Sequence, residues 1–485
     1  MRKVTARGRQ RRRSTILRQP PAPKTEKGRR TRELLLVGVT KAISKYGYEA
    51  TRIDQITQEA NVPIGLFYRY FRGKSEATLE VLHNMLEEYR ASIPQKDVSF
   101  WQRELALHRN YVSLFADRAG LLGCYFSYDF GEAAFESLFV SETRRFIREH
   151  SAAVHAELPD THASEQAIRP VALALVCMSD NFAYRYYTGR DELPLNDGTD
   201  IAWLLAALRF RGFLLQNPPR PHIVDLGFLR KPTKSVPNVE LGRKVRESGI
   251  QLRPSLAKRS DAQATLLQVR AVTLSLLDRL GYDDLRIADI EGESGLTRGV
   301  VYYYFKDKRA LVVSVLAEWV DAVHTAIITS ISAVTGSGDG PFSTFHALAE
   351  ALVFGFVKTP GVVRTLYYLE EQDPEIARHY RGRRREWAGL ISGAIVGNGA
   401  DDLSLDHVTE KLGYAFLDMA ERLLYELYVT RFPEGSTITA PEKTSMLLAA
   451  LWYRMAFLRN PPTPALEMFP VLRELQISTN VQRGK

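Results

Sequence analysis

The first apolar stripe of the chain runs through RRTRELLLVGVTKAISKYGY. Leu34, Leu35, Ala42, Ile43 and Tyr46 fall near one helical face there, and the pattern stops at Gly47. A shorter stripe follows in RIDQITQEA, where Ile53, Ile56 and Ala60 predict a short amphipathic helix. Asn61 then stands where a tight turn needs positive φ, a conformation that Asn tolerates and Gly prefers. IGLFYRYF, Ile64 to Phe71, predicts a second short helix of about nine residues. Long helical stretches with aromatic and aliphatic stripes make up most of the remainder. No alternating apolar and polar pattern of any length occurs, so the fold class predicted is all-α.

The same succession occurs twice. GYEATRIDQITQEANVPIGLFYRYFRGK, from Gly47, lies over GYDDLRIADIEGESGLTRGVVYYYFKDK, from Gly281, with eleven of 28 positions identical. Farther on, LLAALRFRGFLLQNPP, from Leu204, lies over LLAALWYRMAFLRNPP, from Leu447, with ten of 16 identical. Tyr184 and Tyr187 pair with Tyr425 and Tyr428 between these anchors. A unit this long is a whole domain set duplicated in tandem, since solenoid repeats run to only about 20–50 residues. The join is rich in Pro and in basic residues and lacks sustained periodicity, so it reads as a linker. The chain therefore divides into a basic arm at 1–28, a helix-turn-helix domain at 29–76 and a helical domain at 77–219. A linker at 220–260 leads to a second helix-turn-helix domain at 261–310 and a second helical domain at 311–475.

Two short helices joined by a Gly or Asn turn form a helix-turn-helix, whose second helix enters a DNA major groove. On that helix Phe67 and Phe71, like Val301 and Phe305, are spaced i, i+4 and face inward. Gly65 and Gly299 leave a bare spot where another backbone can approach. Ile64, Leu66 and Arg69 in one copy, and Arg298, Val300 and Tyr303 in the other, face outward. Tyr70 and Tyr304 can reach sideways with a phenol, and Lys74 and Lys308 follow as cations at the next helix start. Donors flanking a bare outward face suit phosphates on both sides of a groove.

Both stretches resemble the DNA-binding domain of the TetR/AcrR family of transcriptional regulators. In the second copy the resemblance is carried by Gly281, Tyr282, Ile287, Ile290, Gly295, Leu296, Thr297, Gly299, Val301, Tyr302, Tyr304, Phe305 and Lys308. In the first it is carried by Gly47, Tyr48, Thr51, Ile53, Ile56, Val62, Gly65, Phe67, Tyr68, Tyr70, Phe71 and Lys74. The resemblance implies double-stranded DNA as partner, with Thr51, Tyr68, Tyr302 and Thr297 among the residues at the DNA. Two departures stand out. Pro63 occupies the capping position that Thr297 keeps in the second copy, and Leu285 replaces Thr51. Since the outward faces also differ, the two heads are expected to prefer different half-sites. The family's last two long helices form a dimerising four-helix bundle. The resemblance thus implies an internal pseudo-dimer, or else a homodimer of chains with four heads.

Charge adds an arm. Net charge is +9, but residues 1–32 hold thirteen Lys or Arg against Glu26 alone, leaving −3 elsewhere. Arg11, Arg12 and Arg13 head this arm, which binds phosphates by counterion release without sequence choice. Cys124 and Cys177 make no disulfide framework, so a reducing, cytoplasmic setting at the nucleoid is expected. The longest uninterrupted apolar run, Val171 to Met178, falls far short of a membrane span, and no membrane partner is expected. No phosphate loop, metal motif or nucleophile elbow is present, so neither enzyme chemistry nor a cofactor is expected.

The helical domains carry aromatic clusters: Tyr125, Phe126, Tyr128, Phe130, Phe135 and Phe139 in the first, and Phe354, Phe356, Tyr367, Tyr368 and Trp387 in the second. These read mainly as core, with a minority available to line a pocket for a small apolar effector. Asp129, Glu370 and Glu371 read as exposed. Two function classes fit this sequence: a regulator, most simply a repressor, on an asymmetric operator, and a non-specific DNA scaffold relying on the arm. Deleting residues 1–32 separates them, because only the regulator keeps sequence preference.

Overall fold

The computed structural model describes residues 23–94, 98–126, 133–158, 161–191, 198–219, 260–334, 340–396 and 409–476. Every regular element among them is helical. The basic triplet Arg11, Arg12 and Arg13, residues 220–259 of the linker, and Tyr128, Asp129 and Phe130 lie outside the described residues.

The chain forms two compact units, the first ending at Met85. It opens on α1 (Glu26–Tyr46), where the Thr25 hydroxyl accepts a hydrogen bond from the Gly28 N–H at 3.1 Å. Gly47, at φ 76°, ends the helix as its sequence position predicts. Helices α2 (Ile53–Glu59) and α3 (Ile64–Tyr70) follow, with Asn61 at φ 51° in the turn between them. The unit closes within α4 (Lys74–Ala91). Leu35, Val39, Ile43, Ile56, Phe67 and Phe71 form its core. Leu34 and Tyr46, assigned to the same stripe, lie at its edge and are exposed.

The second unit starts with α5 (Phe100–Phe126), bent at Arg118, then α6 (Ala133–Glu157), α7 (Glu165–Tyr187) and α8 (Gly198–Leu214). The second copy enters through α9 (Ser260–Asp284), broken at Gly281 (φ 75°), then α10 (Ile287–Ser294) and α11 (Arg298–Tyr304). Its body comprises α12 (Lys308–Val334), α13 (Gly340–Lys358), α14 (Pro360–Gln372) and α15 (Pro374–Val396). Helix α16 (Thr409–Leu424) runs into a π turn at Tyr425–Val429. Helices α17 (Pro441–Phe457), α18 (Thr463–Met468) and α19 (Val471–Glu474) complete the order. By length and composition α12 and α13 are apolar enough to cross a membrane, although polar residues interrupt their apolar runs. Here they pack on each other, with half or more of their most apolar windows buried in the bundle.

Four helices of this unit form its centre. Helix α7 lies against α16, and α8 lies against α17. Arg211 on α8 donates to the Met455 carbonyl at 2.5 Å, and Arg454 on α17 donates to the Gly212 carbonyl at 3.3 Å. Each arginine also holds the asparagine six residues on, Asn217 at 2.7 Å and Asn460 at 2.6 Å. Contacts that run both ways between equivalent residues are the mark of a two-fold axis.

Charge is buried beside that axis. Arg185 donates to Glu370 at 2.6 Å and to Asp191 at 2.8 Å. Arg384 reaches Asp191 at 2.9 Å, Asp418 at 2.8 Å and Glu421. Glu370, expected at the surface, is therefore interior. Burial alone would raise its carboxyl, but Arg185 more than offsets that and holds it below the usual range. Phe354, expected in the core, is 62% exposed.

Candidate nucleic-acid interface

Each helix-turn-helix is held by apolar residues on one side of its second helix. Phe67 and Phe71 are 0% and 1% exposed, and Val301 and Phe305 are 1% and 5%. This fixes which residues α3 and α11 turn outward. On α3, Ile64, Gly65, Tyr68 and Arg69 are exposed, and Leu66 is half-buried. On α11, Arg298, Gly299, Tyr302 and Tyr303 are exposed, and Val300 is half-buried. Both helices span seven residues, shorter than the nine expected, because Phe71 and Phe305 turn extended and end them.

Beyond its chain neighbours and its own helix backbone, nothing lies within 4 Å of where a Cβ would stand at Gly65, and only the Thr297 hydroxyl approaches one at Gly299, at 3.8 Å. Internal packing does not require these glycines. The space they leave opens outward, as an approaching backbone needs. Gly295, at φ 68°, makes the turn that Asn61 makes in the first copy.

The outward chemistry differs. The first copy offers Ile64, Tyr68 and Arg69. In the second, the Arg298 guanidinium lies over the Tyr302 ring at 5.4 Å, its Nη2 3.4 Å from that phenol. A guanidinium supported this way presents a fork of donors suited to guanine or phosphate. Thr297 occupies the capping position of α11, but its hydroxyl makes no capping bond and the residue is exposed.

Four assignments read differently in the structure. Thr51 is 3% exposed, and its hydroxyl donates to Gly47 O at 2.5 Å, within reach of Ala42 O at 3.3 Å. It braces the turn and has no proton left for a phosphate. The Tyr304 phenol donates to Ala262 O at 3.2 Å, which ties α11 to the start of α9. Lys74 Nζ donates to Tyr48 O at 2.6 Å and lies 4.2 Å from that ring's centre. Lys308 repeats this with Tyr282, at 2.9 Å and 4.3 Å. Each lysine thus first fastens its helix start to the Gly-Tyr turn, with at most one further N–H for a phosphate. Tyr70 is half-buried beside α1.

The second interface is anchored on its own body. The Gly361 N–H of α14 donates to Asp278 at 2.7 Å, Arg309 pairs with Asp373 at 2.5 Å, and the Tyr282 and Tyr368 rings stand 6.1 Å apart. Helical periodicity carries no sign of these contacts, which join residues 64 to 86 positions apart.

A family model described as bacterial regulatory proteins, tetR family, matches residues 35–81 and again 270–315. The chain is 38% identical over 65 residues to the HTH-type transcriptional regulator HbdR of Aromatoleum sp. (strain CIB), covering 13% of this chain and 28% of that protein. It is 33% identical over 86 residues to the uncharacterized HTH-type transcriptional regulator YhgD of Bacillus subtilis (strain 168), covering 18% of this chain and 43% of that one. The chain thus spans less than half the length of these relatives. A TetR-like transcriptional regulator from Rhodococcus sp. RHA1 aligns with 38% of this chain and 94% of its own, at 19% identity and a TM-score of 0.31.

Proposed function

This chain is a tandem-duplicated member of the tetR family, and from that premise we propose that it is a sequence-specific DNA-binding transcriptional regulator. It acts as a repressor at an asymmetric operator in the bacterial cytoplasm and leaves that operator when a small apolar effector binds a helical body. One observation carries the reading: two outward-facing helices, each with an open glycine and a buried phenylalanine base, display different side chains. The two heads read two unlike half-sites about one helical turn, roughly 34–36 Å, apart. The bodies act as an internal pseudo-dimer, which the reciprocal Arg211 and Arg454 contacts support.

Selection of fragments from random DNA by the full chain tests this. The expected product is one asymmetric site at moderate salt, with Arg298→Ala relaxing preference in one half only, at a cost of about 1–3 kcal/mol. Removal of residues 1–22, which lie before the Thr25 cap of α1, should lower affinity while keeping the recovered sequence. A chain that recovers no preferred sequence, or loses all binding with the arm, is the non-specific scaffold instead.

A further inference from the structure

From α5 to α7 the two bodies align residue for residue at an offset of 241, through Leu107 and Leu348, Phe115 and Phe356, Ser151 and Ser392, and Met178 and Met419; in α8 and α17 the offset is 243, through Leu204 and Leu447. This register places one cavity in each body at the same spot. In the first, Tyr111, Leu122, Tyr125, Phe126, Phe146 and Asp180 border a volume of about 70 Å³. The six equivalent residues, Leu352, Val363, Leu366, Tyr367, Trp387 and Glu421, border about 10 Å³.

The side chains explain the closure. Trp387 replaces Phe146, and the Tyr380 phenol donates to Glu421 at 2.7 Å. Arg384, wholly buried, forms an ion pair with the same Glu421 carboxylate. In the first body the residue at the Arg384 position is Thr143. Asp180, at the Glu421 position, accepts the Tyr111 hydroxyl at 2.5 Å, and Thr143 offers it no cation where Arg384 serves Glu421. The surroundings differ in the same sense. His108, Ser179 and Arg209 line the first cavity, where the second body has Ala349, Ala420 and Trp452. Arg209 is buried and paired with Glu104 at 3.3 Å, yet its Nη2 has no hydrogen-bond partner.

We propose that Arg384 is a resident cation that keeps the second cavity permanently occupied, and that the first cavity takes its cation from solution. The ligand is a small planar molecule whose positively charged amine, amidine or guanidine group sits on Asp180 among tyrosine and phenylalanine rings. A buried carboxylate with aromatic faces around it favours such a group doubly, by charge-assisted hydrogen bonding and by attraction to the rings. Arg209 Nη2 supplies a donor for an acceptor atom on the same molecule. One water needs about 10–15 Å³ of such space, so about 70 Å³ admits a charged head group of several heavy atoms without rearrangement. One chain then binds one effector, although it contains two bodies. This rests on the reading given above that a small effector binds a helical body, and it replaces an apolar effector by one with apolar faces, a cationic head and a single address.

Calorimetric titration of the full chain, without DNA, compares acetamidine and benzamidine with their neutral counterparts acetamide and benzamide. The expected result is one amidine per chain, with the neutral amides weaker by about tenfold or more. Asp180→Asn should abolish that preference. Thr143→Arg, which copies the second body's cation into the first, should abolish binding while the DNA footprint persists. Circular dichroism melts establish that both variants fold. If Asp180→Asn does not fold, Thr143→Arg alone decides. No amidine binding, equal binding of amidines and amides, two sites per chain, or a response unchanged by Thr143→Arg each overturns the proposal. Amidine binding as expected in a chain with no preferred DNA sequence overturns the regulator reading alone; a preferred sequence without amidine binding overturns this one alone.

Discussion

Asp180 sits mid-helix on α7 with its carboxyl turned into a cavity. Burial pushes it up to about 6, although the Tyr111 hydrogen bond, Arg422 and Arg209 favour the ionised form; Glu426 adds to the push. Other charged groups around the cavity are matched, Glu142 by Arg90 and Glu104 by Arg209, with the His150 ring 2.6 Å from Glu104. The histidines stay neutral there, since burial drives His108 down to about 3 and lowers His150 as well. Cation binding needs the carboxylate, so amidine affinity should fall as pH drops through about 6, approaching tenfold per pH unit below it. Titrations between pH 5 and 7.5 measure this, and a flat profile would remove Asp180 from the site. Sequence spacing placed Phe67, Phe71, Val301 and Phe305 inward correctly because helical period alone decides that. It misplaced the hydroxyls of Thr51 and Tyr304, whose partners are backbone carbonyls brought close only by the fold. The Asp180–Glu421 and Thr143–Arg384 exchanges were present in the internal repeat and become meaningful only once a cavity is known to lie between them.

At the scale of helices, close approach explains what periodicity does not. A side-chain carbon at Gly413 on α16 would stand 2.2 Å from the Ala388 carbonyl of α15 and 2.5 Å from the Ser392 hydroxyl. Gly413→Ala should force these two helices apart and cost about 1–3 kcal/mol in urea unfolding. Gly393 lies on the exposed face of α15 with nothing within 4 Å, so Gly393→Ala should be neutral or stabilise by up to about 1 kcal/mol. Equal effects at the two sites would contradict this packing. Apolar stripes along the chain marked the helices and their turns, including Asn61 and Gly295 at positive φ. They did not reveal that Glu370 on α14 turns inward, since its partner Arg185 lies 185 residues away.

For the whole molecule, the packing of α7 on α16 and α8 on α17 joins the two copies independently of the segment between them. Cutting the chain within residues 220–259 should leave both halves eluting as one species in size-exclusion chromatography at micromolar concentration. Separate elution would show that the tether, not the packing, holds them. Duplication was plain in the sequence from identical positions alone. The divergence of the two bodies, one with a lined cavity and one filled by Trp387 and Arg384, was not, because cavity volume depends on how side chains meet.

Both copies belong to one polypeptide, so Arg211 and Arg454 never have to find each other by diffusion. For an ordinary two-chain repressor, operator occupancy in dilute cells tracks the square of monomer abundance, and dilution at division loosens control. Under the function proposed above, occupancy scales with the first power of copy number, which suits control by only a handful of molecules per cell.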